Sequence, residues 1–107
     1  IHGGLAQGVA QALLEEFRYD PDGNPQTTNL ADYTAVSTME VPSYERIVME
    51  TTTPVNPLGA KGIGEAGSIG STAAVQNAVV DALAHLGIRH LDMPLTPERI
   101  WQALAGS

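Results

Sequence analysis

Two charged side chains, Lys61 and Glu65, stand inside the glycine-rich stretch Gly59-Ala-Lys-Gly-Ile-Gly-Glu-Ala-Gly67 of this 107-residue sequence. Glycines at 59, 62, 64, 67 and 70 leave a loop with few side chains, so its backbone N–H groups can face a ligand directly. A helix is expected next, and a helix N-terminus adds positive potential that favours an anion. An acid framed by glycines meets a substrate with little steric shielding; walled off from water, it becomes a group that can act as a general base. The residues alone leave a second reading open, in which the glycines only permit a tight turn and Glu65 stands in solvent.

Gly62-Ile-Gly-Glu-Ala-Gly67 matches the dinucleotide pattern G-x-G-x-x-G literally, but its surroundings do not fit. That fingerprint needs a strand running into the first glycine, and here Pro54 and Pro57 intervene. The next acid of note, Asp92, precedes a proline turn instead of ending a strand. A phosphate-binding P-loop is excluded as well, because no Lys-Ser or Lys-Thr pair closes the motif. His2, His85 and His90 lack metal-ligand spacing and there is no cysteine, so no protein ligand set for a metal, no disulfide and no cluster ligation is expected.

Several elements must position this loop. Leu5, Val9, Leu13 and Phe17 recur every fourth residue and predict a helix over 4–17, with Gly4 and Gly8 leaving one side smooth. Asp20-Pro-Asp-Gly23 is a strong turn signal and predicts a hairpin over 18–28. Ile47, Val48 and Met49 centre a predicted strand over 44–53, and Ile88 to Met93 a shorter one. A second helix is predicted over 72–86, capped by Ser71 and ended by Gly87, with Val75, Val79, Ala82, Leu83 and Leu86 as its stripe. Thr96-Pro-Glu98 opens a last helix that buries Ile100, Trp101 and Leu104. The fold class expected is therefore α+β: about three helices, a β-hairpin and one or two further strands, in one unit spanning 1–107.

With 43% apolar residues the chain has material for a core, although a chain of this length is only marginally stable alone. Twelve acidic and five basic residues give a net charge of −7, which argues against nucleic acid or anionic lipid as a partner. No apolar run approaches the roughly 18 residues of a membrane helix. The opening on Ile1 instead of Met is expected of an excised piece of a longer protein. The lack of cysteine is compatible with a cytoplasmic location.

Four stretches, in order, resemble the molybdopterin-binding subunit of the xanthine dehydrogenase and aldehyde oxidase family, which includes the carbon monoxide dehydrogenase large chains. They are His2-Gly-Gly-Leu-Ala-Gln-Gly-Val-Ala-Gln-Ala-Leu-Leu-Glu-Glu16, Tyr19-Asp-Pro-Asp-Gly23 with Asp32-Tyr33, the loop Gly59–Gly67, and Met93-Pro-Leu-Thr-Pro-Glu98 leading into Trp101. The resemblance covers essentially the whole chain. It implies a C-terminal piece of the molybdenum cofactor-binding domain of a hydroxylase, an oxidoreductase that takes its oxygen from water and acts on an aldehyde, an N-heterocycle or a CO-like substrate. It also implies that Glu65 is the general base that removes a proton from the metal-bound hydroxyl. Gly62, Ile63 and Gly64 would line the molybdenum site through their backbone, with Lys61 as a supporting charge, and Gly3, Gly4, Gln7 and Gly8 would approach the pterin.

The cofactor implied is molybdopterin with molybdenum, in its cytosine dinucleotide form. A [2Fe–2S] centre and FAD would lie on other domains or subunits. The partners implied are the upstream remainder of the subunit, which carries an active-site glutamine falling just before Ile1, together with iron–sulfur and flavin subunits. The isolated piece is expected to be inactive, to hold no cofactor and to self-associate through exposed apolar surface. The other function class is a non-enzymatic interaction domain whose glycine loop only turns the chain.

Overall fold

The computed structural model describes residues 1–106. It contains α1 (His2–Leu13), α2 (Ser68–Leu83), a 3₁₀ turn (Ala84–Leu86) and α3 (Pro97–Ala105). The fold closes where α1 meets α2, and it closes through the smallest residues available. A Cβ on Gly4 would stand 2.9 Å from the Gly67 Cα, and one on Gly8 would stand 1.8 Å from Ser71 Oγ. Both distances are too short for a real side chain, so the two backbones approach only because these positions carry none. One turn further on, Thr72 Oγ1 donates to Gln11 Oε1 at 3.0 Å. The pairings 4–67, 8–71 and 11–72 advance together, so the helices run in the same sense with their N-termini side by side.

The segment after α2 straps this pair. Leu95 is the largest fully buried side chain, and its N–H donates to the Ala12 carbonyl at 2.7 Å near the end of α1. Gln76 of α2 donates to the Leu91 carbonyl at 3.0 Å. Arg99 pairs with Glu16 and also donates to the Pro94 carbonyl at 3.1 Å. α3 begins as its residues dictate: Thr96 accepts from the Arg99 N–H at 3.3 Å, Pro97 takes the first helical position and Glu98 the first turn. Gly87 ends the second helical segment in the left-handed region, at φ 84°.

The α+β expectation is overturned, because the described residues contain three α-helices, no sheet and one isolated antiparallel bridge, Tyr19 to Pro25. The hairpin expected over 18–28 is reduced to its turn. Asp20 Oδ1 accepts from the N–H groups of Asp22 and Asn24, at 3.0 and 2.8 Å. These bonds, led by the Asn24 side chain, hold the Asp20 carboxyl below its usual range. In the bridge Pro25 has no N–H to give; beyond it the Gln26 N–H reaches the Arg18 carbonyl at 2.8 Å, but the Arg18 N–H goes to the Thr27 hydroxyl at 3.0 Å instead of a backbone carbonyl. Residues 44–53 and 88–93 are not strands either, for want of a neighbouring strand whose ladder could fix them. β propensity marks a segment that fits a sheet and does not supply the partner.

Helix boundaries and faces also shift. α1 ends at Leu13, which leaves Phe17 outside it and half-exposed; Gly8, Ala10 and Ala12 are its buried residues. α2 starts four residues early at Ser68, so Ser71 is a buried helical residue facing Gly8 and not a cap. Trp101, expected inside, is 66% exposed. The buried apolar core of the described residues is Ala10, Ala12 and Leu95. The radius of gyration is 17.7 Å, against about 13 Å for a compact domain of this length. The chain is thus a helix pair with long irregular arms, and most of its large apolar side chains face outward.

Two alanine substitutions separate close approach from helix propensity. Gly→Ala inside a helix gains up to about 1 kcal/mol where space is free, whereas forcing extra volume into a packed contact costs about 1–3 kcal/mol. Gly3→Ala, with open space around it, will raise the urea midpoint; Gly8→Ala will lower it, and adding Ser71→Gly will recover most of the loss.

Candidate functional site

The loop between Thr53 and α2 is built by one side chain. Asn56 Oδ1 accepts from the N–H groups of Leu58 and Ala60, at 3.1 and 3.0 Å, and its Nδ2 donates to the Ala60 carbonyl at 2.8 Å. Gly59 completes the turn at φ 64°, a conformation that favours glycine, and its carbonyl accepts from the Thr53 N–H at 3.1 Å. Asn56 had no place among the sequence candidates. Its signal is Asn before Pro two residues ahead of a glycine, a side-chain turn pattern.

Beyond Ala60 the loop opens. The N–H groups of Lys61, Gly62, Ile63, Gly64 and Glu65 have no acceptor among the described residues. A Cβ at Gly62 or Gly64 would meet nothing within 4 Å. Lys61, Gly62 and Ile63 line a cleft of about 750 Å³ with Ile1, Leu5 and the extended stretch 45–52. Within it Lys61 Nζ is tethered to Thr51 Oγ1 at 2.5 Å. Arg46 is the other cation on the wall, and Glu45 and Glu50 stand on it too, so the formal charges of the cleft balance.

Glu65 follows in the turn that leads into α2. Its carbonyl accepts from the N–H groups of Ser68 and Ile69 at 3.1 and 3.0 Å, which anchors its backbone to the helix start. Its side chain is exposed, so the described residues supply no wall against water. Gly67, two residues on, is buried, and a Cβ there would stand 2.5 Å from the Ile1 carbonyl. The last glycine of the literal G-x-G-x-x-G therefore serves helix packing and not a phosphate.

The candidates on α1 fall into two sets. Gly4 and Gly8 are spent on the contact with α2, whereas Gly3 and Gln7, one turn apart, are exposed. Neither α1 nor α2 has a capping side chain or an acid in its first turn. Two uncapped N-termini and a run of free N–H groups thus converge beside Gly67, an arrangement suited to a polar or anionic group of low bulk. Among the described residues no cluster of His, Asp or Glu could hold a metal ion. His2 packs on the Tyr44 ring at 6.0 Å, and His90 pairs with Asp92 at 2.9 Å, away from the loop.

Comparison with known proteins agrees with this geometry. Residues 1–42 match the family model of the molybdopterin cofactor-binding domain. The carbon monoxide dehydrogenase large chain of Hydrogenophaga pseudoflava is 42% identical over 97% of this chain. The xanthine dehydrogenase molybdenum-binding subunit of Escherichia coli O157:H7 is 34% identical over 95% of it. The crystal structure of quinoline 2-oxidoreductase from Pseudomonas putida 86 superposes with a TM-score of 0.89 at 46% identity, covering 98% of this chain and 13% of that one. This chain belongs to the family of molybdopterin-binding subunits of xanthine and carbon monoxide dehydrogenases. It spans 13% of the length of the curated relatives it matches. Those relatives are molybdenum-dependent oxidoreductases, and this family segment carries a small part of one. No described helix is long and apolar enough to cross a membrane.

The turn can be tested apart from any activity. Asn56→Ala removes three hydrogen bonds at once, so amide exchange at Leu58 and Ala60 will accelerate by about tenfold or more, while exchange in the middle of α2 stays at its wild-type rate.

Proposed function

We propose that this chain is the C-terminal part of a molybdenum hydroxylase large subunit and that Glu65 is its general base. The single observation that carries the reading is the loop 61–65. Five successive unpaired N–H groups, free of bulk at Gly62 and Gly64, end on a carboxylate at the start of a helix, in a chain whose residues 1–42 match the molybdopterin cofactor-binding domain and whose relatives include a molybdenum-binding subunit. The residues present fit that cofactor. Backbone N–H groups at Gly62, Ile63 and Gly64 offer donors to its polar edge, and Lys61, held by Thr51, offers positive charge in the adjoining cleft. Gly3 and Gln7 face outward from the first turns of α1 and would meet the pterin side. Gly4 and Gly8 contribute by letting α1 lie against α2, which brings both helix N-termini to the site.

When bound, the cofactor supplies the metal that accepts the two electrons removed from the substrate. The chain's own part is proton handling: Glu65 takes a proton at its carboxylate as water-derived oxygen becomes a nucleophile. The side chain is exposed in this segment, so the remainder of the subunit must exclude water around it. The full protein we infer carries molybdopterin in its cytosine dinucleotide form. It works in the cytoplasm with [2Fe–2S] and flavin subunits and oxidises an aldehyde, an N-heterocycle or a CO-like substrate. The segment alone is inactive.

Glu65→Gln in the full-length enzyme keeps the size of the side chain and removes its basicity. Turnover will fall by about 10²–10⁴-fold, with molybdenum content near wild type. Preserved turnover would take Glu65 out of the mechanism.

A further inference from the structure

Ser68 is the first residue of α2 and is half-buried. Its Oγ lies 3.2 Å from the Glu65 carbonyl oxygen and 3.3 Å from Glu65 Oε2. The same hydroxyl therefore touches both the backbone and the carboxylate of one residue. The Glu65 carbonyl also accepts the Ser68 and Ile69 N–H groups, so its main chain is fixed by two backbone donors from α2 and the one hydroxyl proton of Ser68 is left for the carboxylate. The carboxylate lacks that support. It sits at the end of a long exposed side chain, and Ser68 Oγ is the hydrogen-bond donor to it among the described residues. The anchor of the donor is firm. Gly67, immediately before Ser68, lies against the Ile1 carbonyl, the Gly4 Cα and the Leu5 nitrogen, so Ser68 cannot move without opening the α1–α2 contact.

We propose that Ser68 is a positioning residue for Glu65, its hydroxyl holding the carboxylate in one orientation relative to α2. The inference rests on the reading of Glu65 as the base and adds what aims it. The bond removes rotamers in which Oε2 points away from the loop. Ser68 itself neither gains nor loses a proton in this role.

The test uses the full-length, cofactor-loaded enzyme with Ser68→Ala, Ser68→Thr and Glu65→Gln side by side. Turnover is followed with whichever of benzaldehyde, quinoline or carbon monoxide the wild type oxidises fastest. Crystal structures of the wild type and of both Ser68 variants provide a readout that does not depend on turnover. Ser68→Ala will lower kcat about tenfold, the scale of one hydrogen bond to a charged group. KM and molybdenum content will be unchanged, and the Glu65 side chain will occupy more than one conformer. Ser68→Thr, which keeps the hydroxyl, will restore both kcat and the single conformer.

Wild-type kcat and one Glu65 conformer in Ser68→Ala, beside an inactive Glu65→Gln enzyme, overturn the role of Ser68 and leave that of Glu65 standing. Loss of molybdenum in parallel with kcat overturns it too, since the residue is then structural. So does a Thr variant as impaired as the Ala variant. Full turnover in Glu65→Gln removes the base reading and this inference together.

Discussion

The contact on which the rest depends is the meeting of two helix backbones at Gly4–Gly67 and Gly8–Ser71. There is little apolar interior to hold α1 and α2 together, because among the described residues the buried hydrophobic side chains are two alanines and one leucine. Association comes from close van der Waals approach, from the hydrogen bond that crosses it, Thr72 to Gln11, and from the strap after α2, tied to α1 by Leu95 to Ala12. Because the helices run in the same sense, this contact also decides where their N-terminal ends, neither capped by a side chain, lie. They lie together, beside a loop that is already rich in free donors. Packing and electrostatics are thus one feature seen from two sides.

The loop divides its glycines among different physical tasks. Gly59 supplies a left-handed turn that Asn56 stabilises, Gly67 supplies room for a neighbouring backbone, and Gly62 and Gly64 leave space that nothing in this segment fills. A pattern match treats these positions as equivalent. Their surroundings separate them and explain why a literal dinucleotide motif occurs where no strand among the described residues leads into it.

What could be read from the sequence was what is local. Thr96-Pro97-Glu98 specified the start of α3, Gly87 the end of the second helical segment, and Asp20-Pro-Asp-Gly23 its turn, because each is settled by hydrogen bonds within a few residues. The strands could not be read, since residues 44–53 and 88–93 have sheet-like composition and no ladder neighbour. The buried faces were also misjudged. Periodicity pointed to Leu5, Val9, Leu13 and Phe17 with Ala12 beside them, whereas α1 buries Ala12 together with Gly8 and Ala10. Small residues give no hydrophobic signal, and their value shows only when a second backbone is set against them. At the site, Glu65 stood out by type and setting, whereas Asn56 and Ser68 act on it through short-range bonds that a motif does not record.

The two crossing points differ in how freely they can drift over evolutionary time. At Gly8 and Ser71 volume can be handed from one helix to the other, because one partner still has a side chain to give up. At Gly4 and Gly67 both partners are already at the minimum, and no smaller residue exists with which to compensate a change. Substitution at either must separate the backbones, and Gly67 stands two residues from Glu65. A lineage that loses one of these glycines has no local route back except reversion, so this corner of the fold behaves as a ratchet.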